Sequence, residues 1–165
     1  DKILVVDAAR ETLVDSIEVG PQPSSLVLDR FGKLWTVTDG RTAGIPAALY
    51  RIDAATRRVE QTYTFAAGDH PSSVTLNGTR DTLYCSNRDV WRMRVDAEEL
   101  PVTPFLPYTQ TTYYEVAVDP LTSEVYVADA IDYVQHGVVY RFTARGAAVD
   151  TIRVGITPGS FCFKP

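Results

Sequence analysis

The feature that most constrains this chain is an internal repeat. A phrase of aliphatic, aromatic and small or branched residues that ends in a polar turn occurs three times, as "LWTVTDG", "LYCSNRD" and "VYVADAI". The aromatic residues of the three phrases are Trp35, Tyr84 and Tyr126, which lie 49 and 42 residues apart. The polar residues that end the apolar run before each phrase are Asp29, Asn77 and Asp119, which lie 48 and 42 residues apart. Two anchors with one period indicate one structural unit used repeatedly.

A period in the forties that carries only strand signals predicts the blades of a β-propeller. We therefore expect an all-β fold with blades of four antiparallel strands: three complete blades and a split fourth, within one domain over 1–165. The expected complete blades are 21–68, 69–110 and 111–155, and the partial blades are 1–20 and 156–165. We expect such a chain to be the C-terminal half of a propeller of roughly seven blades. We expect the rest of the propeller, or another copy of the chain, to complete the ring.

Composition excludes several partners. The net charge is −5, from 16 basic and 21 acidic side chains, and the basic residues are scattered, whereas nucleic-acid binding needs a basic patch. We expect no transmembrane segment, because no apolar run approaches the ~20 residues of a membrane span. The chain has two histidines, so we expect no metal or other cofactor. Cys85 and Cys162 lie in apolar runs and are expected to be small buried side chains.

The repeat phrases resemble degenerate Tyr-Val-Thr-Asn repeats. Together with "YRIDAATRRV" and "GPQPSSLVLDRFGKLWT", they are similar to the YVTN/NHL-like propellers called surface-layer-type proteins, and the ending "VGITPGSFCFKP" is similar to the terminus of their secreted, lipoprotein-type members. The resemblance implies an extracytoplasmic protein, periplasmic or on the cell surface, with a lipid anchor in a preceding N-terminal region as one arrangement. It also implies packing repeats rather than catalytic motifs.

One inter-blade connection departs from the repeat. Tyr113, Tyr114 and Glu115 stand where the other units have proline, a small residue and serine. Because such connections gather at one rim of a propeller, around its channel, we expect these side chains at a ligand site. Glu115 is predicted to bind a cation or a sugar hydroxyl, or to act as a base if burial raises its pKa. The alternative is a carboxylate that accepts hydrogen bonds from a neighbouring blade.

The loops after the repeat phrases supply the other candidates. They are long in the first and third units, over 38–48 and 129–137, and short in the second. Long loops on a rigid scaffold often carry binding residues, although solvated loop tips are the alternative. The candidate binding residues are Asp39, Arg41, Trp91, Asp129, Asp132, Tyr133 and His136. Aromatic rings and carboxylates suit a glycan or a polar protein surface.

Three functions are consistent with these patterns. The first is a non-catalytic extracytoplasmic propeller that binds a protein, peptide or glycan at the channel rim; this function requires Tyr113 and Tyr114 to be accessible. The second is a propeller enzyme resembling streptogramin lyases or lactonases, in which rim carboxylates and His136 hold a divalent metal; Glu115 and His136 must then share one pocket. The third is an assembly module whose open edges complete a ring with another chain.

Overall fold

The computed structural model of the protein describes residues 1–108 and 113–164. These residues form thirteen strands and no α-helix. The strands are β1 (Lys2–Asp7), β2 (Thr12–Glu18), β3 (Pro23–Leu28), β4 (Lys33–Thr38), β5 (Ala48–Asp53), β6 (Arg58–Thr64), β7 (Ser73–Leu76), β8 (Thr82–Asn87), β9 (Asp89–Arg94), β10 (Tyr113–Val118), β11 (Val125–Asp129), β12 (His136–Phe142) and β13 (Ala148–Ile156). In the described part of the chain, no helix is long and apolar enough to cross a membrane.

The strands form four antiparallel sheets in chain order. Strands β1 and β2 make the N-terminal hairpin, and blade 1 (β3–β6), blade 2 (β7–β9) and blade 3 (β10–β13) follow as meanders. The first strands of the three blades lie side by side, β3 next to β7 and β7 next to β10. The sheets therefore fan out from a common inner edge, as the blades of a propeller do.

Both faces of a central blade are buried, which explains the nearly continuous apolar character of the repeat phrases. Trp35 and Val37 of β4 face blade 2, and they join Leu83 and Cys85 of β8 in one hydrophobic core. Tyr84 projects from the opposite face of β8 into a second core, between blades 2 and 3. Successive side chains of one strand thus fill two different inter-blade spaces.

The recurring aromatic residue occupies an equivalent place in each blade. Trp35 is buried between blades 1 and 2, and Tyr84 is buried between blades 2 and 3. Tyr126 lies on the corresponding face of blade 3, where Phe161 and Phe163 contact its ring at centroid distances of 6.2 and 5.4 Å. The repeated phrase is therefore a repeated packing site.

The second anchor of the repeat organises the turn between the first two strands of each blade. Asp29 Oδ1 accepts a hydrogen bond from the Lys33 backbone N–H at 2.9 Å, and its Oδ2 accepts one from Trp35 Nε1 at 2.8 Å. Asn77 and Asp119 accept backbone N–H groups of their own turns in the same way. An Asx side chain that bonds the following backbone fixes a tight turn.

Blade 2 departs from the expected four strands. After β9, the described residues contribute to this sheet only an isolated antiparallel bridge between Leu106 and Val90. Proline accounts for the difference, since Pro101, Pro104 and Pro107 cannot donate ladder hydrogen bonds and interrupt the expected outer strand. The end of the expected second blade, at 109–110, and the first two residues of the third lie outside the described residues.

The C-terminal segment also differs from expectation. Residues 156–165 were expected to supply an innermost strand, but β13 extends to Ile156 and residues 157–164 form no strand. An innermost strand pairs with the second strand of its own blade, and the described residues contain no such partner for it. The segment instead packs its phenylalanines on blade 3. Cys162 is consequently exposed, contrary to expectation, whereas Cys85 is buried.

The N-terminal hairpin leaves an apolar surface open. One of its faces contacts blade 1, with Ile17 buried and Asp15 paired to Arg57 at 3.1 Å. The opposite face exposes Leu4, Val6 and Leu13 to 58, 57 and 62%. A partial propeller with such a face is completed by other blades or chains.

Candidate functional site

Glu115 lies on β10, the innermost strand of blade 3, beyond a register shift that follows Tyr113. Its side chain is half-buried, and Oε1 accepts a hydrogen bond from the Val116 N–H at 3.2 Å. Burial raises the pKa of Glu115, and the Ser73 hydroxyl of blade 2 and the Val116 N–H oppose that rise. A carboxyl group in this setting is easier to protonate than one in water.

The two adjacent tyrosines have different roles. Tyr113 is half-buried, and its ring packs edge-on against Tyr140 at 6.4 Å between centroids. Tyr114 points to the surface, where it makes an edge-to-face pair with Tyr133 at 5.8 Å. These two rings remain 39 and 53% exposed. Since neither Tyr113 nor Tyr114 is fully buried between blades, the accessibility that the binding function requires is present.

Two aspartates shape the loop that carries Tyr133. Asp129 is buried; its Oδ1 accepts the Ile131 N–H at 2.7 Å, and its Oδ2 accepts the Tyr140 hydroxyl at 3.3 Å. Asp132 Oδ1 accepts the N–H groups of residues 134 and 135 at 3.0 and 2.9 Å. These hydrogen bonds lower the pKa of Asp132. Both carboxylates hold the loop backbone in shape on either side of Tyr133.

The structure does not gather the residues that the enzymatic alternative needs. The His136 ring bonds through Nδ1 to the Val154 carbonyl at 2.9 Å, on the outermost strand β13, whereas Glu115 lies on the innermost strand. Among residues 1–108 and 113–164, no group of three or more His, Cys, Asp or Glu side chains is arranged to hold a metal ion. The carboxylates of this loop bond to its own backbone and to Tyr140.

The loop of blade 1 forms the second part of the rim. Asp39 Oδ1 accepts the Arg41 N–H at 3.0 Å, and the Arg41 guanidinium lies 3.7 Å from Asp39 Oδ2. The Asp39 carbonyl bonds to His70 Nδ1 at 2.8 Å, which joins this loop to the connection between blades 1 and 2. Asp39, Arg41 and His70 line an open groove of about 350 Å³ together with Ser24 and Ser72.

Sequence reasoning missed some of these groove residues and placed one candidate wrongly in space. His70 is one of the missed residues, and the one feature of the sequence that marks it is its position directly before Pro71 in an inter-blade connection. Trp91 is not part of the rim groove. It is half-buried between blades 1 and 2, and its indole Nε1 donates to the Asn87 carbonyl at 3.2 Å.

Comparison with solved structures shows the fold. A chain of hydrazine synthase from Kuenenia stuttgartiensis superposes with a TM-score of 0.75 at 14% identity, over 93% of this chain and 43% of that one. The Dos1 propeller superposes with a TM-score of 0.68 at 14% identity, over 94% of this chain and 41% of that one. A quinonprotein alcohol dehydrogenase-like protein from Bacteroides thetaiotaomicron superposes with a TM-score of 0.68 at 12% identity, over 88% of this chain and 37% of that one.

Identities this low show similarity of fold alone. The chain spans less than half the length of these structures, in agreement with three blades and a hairpin of a larger propeller. No curated protein matches the chain. The sequence pattern of one family, described as a domain of unknown function (DUF5074), matches residues 1–161, and the chain therefore belongs to that family.

Proposed function

We propose that this protein is a non-catalytic β-propeller that binds a glycan, a peptide or a protein surface through its rim. The observation that carries the proposal is the exposed pair of Tyr114 and Tyr133, which lie 5.8 Å apart on blade 3. An exposed tyrosine offers a flat apolar face with a polar tip, which suits both sugar rings and peptide groups. The hydrogen bonds of Asp132 order the loop backbone that carries Tyr133, and a loop that is already ordered lowers the ordering cost of binding.

The groove of blade 1 supports the same function. It offers the Arg41 guanidinium, which is mostly solvent-exposed, beside two serine hydroxyls and the His70 ring. Such groups exchange hydrogen bonds with hydroxyl, amide and carboxylate groups of a ligand. Because the resemblance to surface-layer-type propellers extends along the chain, we also propose an extracytoplasmic location, periplasmic or at the cell surface, with lipid anchoring as one form of attachment.

A direct test uses isothermal titration calorimetry with chitotetraose, cellotetraose, maltotetraose and laminaritetraose, and with a tetrapeptide set of matched length. We expect one class to bind and the double variant Tyr114→Ala/Tyr133→Ala to weaken it by at least ~10-fold, since aromatic contacts contribute about 1–3 kcal/mol. The control is Phe31→Ala, which removes an exposed aromatic ring from a turn between the first two strands of blade 1. Binding that the tyrosine variant leaves unchanged would contradict the proposal.

The same titration addresses the enzymatic alternative, a lyase or lactonase with a divalent metal. Ca²⁺ and Mg²⁺ are titrated into the chain and into Glu115→Gln. Saturable heat that the substitution abolishes would favour the metal-dependent enzyme over the binding function.

A further inference from the structure

A cavity of about 220 Å³ lies between blades 1 and 2, away from the tyrosine pair. We call it the inter-blade cavity. Its wall is mostly apolar, and the side chains that form most of it are Phe65, Leu83, Cys85, Trp91, Met93 and Leu100. Asp69 is the acidic residue of the wall and Arg92 is the basic one. The Arg92 guanidinium is already engaged, since it donates to the Ala144 carbonyl at 2.9 Å and lies over the Phe105 ring. An apolar cavity of ~150 Å³ is large enough to bind benzene, so this one accommodates a ring with a short side chain.

The missing outer strand of blade 2 explains why the cavity exists. In blade 1, β6 covers the edge of β5. In blade 2, β9 is followed by an irregular segment that includes Leu100 and Pro101. The Tyr63 hydroxyl of β6 donates to the Ala97 carbonyl at 2.7 Å, which fastens this segment to blade 1. The outer wall is therefore held in place, and the space is not free to collapse.

The polar end of the cavity carries a negative charge. Asp69 Oδ2 accepts the Ala66 N–H at 3.0 Å, so that the carboxylate has a defined position. Asp69 and Cys85 both line the cavity, and burial, together with the charge of Asp69, raises the pKa of the Cys85 thiol to about 12. The indole N–H of Trp91 is already bonded to the Asn87 carbonyl. Trp91 therefore contributes its ring rather than a hydrogen-bond donor.

We propose that the inter-blade cavity binds a small aromatic amine. The ring of the ligand packs against Trp91 and Phe65, and its ammonium group pairs with Asp69. A carboxylate at the edge of an apolar site favours a cation over a neutral or anionic group, because the surrounding low dielectric strengthens the attraction. Asp69 belongs to the same inter-blade connection as His70, so the cavity lies beside the groove of blade 1. The site does not depend on the function proposed for the tyrosine pair.

The test compares two probes of one shape, phenethylamine and 2-phenylethanol, by saturation-transfer NMR and calorimetry on the whole chain. We expect phenethylamine to bind about tenfold more tightly, since a hydrogen bond to a charged group contributes about 1.5–3 kcal/mol. Asp69→Asn should remove this advantage and leave the binding of 2-phenylethanol unchanged. Glu99→Gln is the matched control, because Glu99 is an exposed carboxylate next to Leu100 that does not line the cavity.

Two filling variants separate binding in the cavity from binding elsewhere. Leu100→Phe and Cys85→Leu add volume from the outer segment and from β8, and either should weaken both probes; the second is needed if the first does not fold. Absence of binding by both probes, or binding that neither filling variant changes, overturns the site. Equal affinities of the two probes overturn the pairing with Asp69. Binding at the tyrosine pair, measured with whichever probe class binds there, should be unaffected by these variants, so the two proposals fail separately.

Discussion

At the scale of single residues, each blade repeats a cross-strand pair. The recurring aromatic residue of the second strand lies opposite an arginine of the third: Trp35 opposite Arg51, Tyr84 opposite Arg92 and Tyr126 opposite Arg141. The guanidinium of Arg92 lies 4.2 Å from the centroid of Phe105, and that of Arg141 lies 6.0 Å from the centroid of Tyr126. Arginine can cover an aromatic ring while its charge stays near water. The aromatic and the arginine together define the repeat.

Gly78 is required by a close approach between blades. A Cβ atom at this position would collide with the backbone carbonyl of Pro120 in blade 3, and the backbone cannot move aside without disturbing the turn. We expect Gly78→Ala to lower the free energy of unfolding by about 1–3 kcal/mol, as overpacking does. Urea unfolding followed by fluorescence measures the change. Gly155→Ala is the control, because a Cβ there meets open space; equal stabilities of the two variants would contradict this account.

Glu115 should make stability depend on pH in a particular direction. Burial raises its pKa above the ordinary value of 4.5, so the folded chain binds a proton more tightly than the unfolded chain. Stability from this group is complete below about pH 4.5 and is lost as the pH rises through the folded pKa. We expect the melting temperature of Glu115→Gln to increase relative to that of the wild type as the pH rises from 4 to 7. A constant difference across that range would show that Glu115 titrates as it does in water.

At the scale of strands and blades, the sequence predicted most of the fold. The period and the apolar runs predicted four-stranded antiparallel blades, because packing on both faces imposes one residue pattern on every blade. The sequence pattern did not predict the loss of the outer strand of blade 2, since the apolar run around Phe105 has the composition of a strand while its prolines lack ladder donors. The strand register places Arg92, and not Arg94, opposite Tyr84. Register depends on pairing and is not visible in one strand alone.

The candidate site was predictable only in part, for a related reason. Departures from the repeat identified Tyr114 and Tyr133, which the structure places together. Whether a loop carboxylate faces a ligand or bonds its own turn depends on backbone geometry, so Asp129 and Asp132 could not be assigned from their residue type. The groove residue His70 belongs to a connection of ordinary length, which gave no signal of a role.

The reactivity of the two thiols depends on how these strands and blades pack. Cys85 is buried on β8, and burial together with Asp69 raises its pKa to about 12, whereas Cys162 is exposed beyond β13. Since the thiolate is the reactive form, we expect a disulfide reagent such as DTNB to modify one thiol per native chain and both after denaturation. Cys162→Ser should leave no fast reaction in the native chain. Rapid modification of Cys85 in that variant would show that blades 1 and 2 separate readily.

At the scale of the whole molecule, the central blade and the terminal hairpin differ in how many of their faces are covered by a neighbouring sheet. Blade 2 is covered on both faces by its neighbours, whereas the hairpin is covered on one face only. The three solved structures compared above are more than twice as long as this chain. A blade face that lacks its neighbour exposes the same kind of side chains that form the two cores, which makes that face a site of association.

The hairpin face should therefore control self-association of the chain. We expect light scattering to give a mass above the 18.2 kDa of one chain in a concentration-dependent manner, because association buries the exposed side chains of Leu4, Val6 and Leu13. The triple variant Leu4→Ser/Val6→Thr/Leu13→Ser should shift the mass to that of a monomer. The matched control replaces three apolar residues of at least equal exposure outside the hairpin: Val102→Thr, Leu121→Ser and Val134→Thr. A wild-type chain that is monomeric at every concentration, or a control that dissociates as the hairpin variant does, would show that this face does not drive assembly.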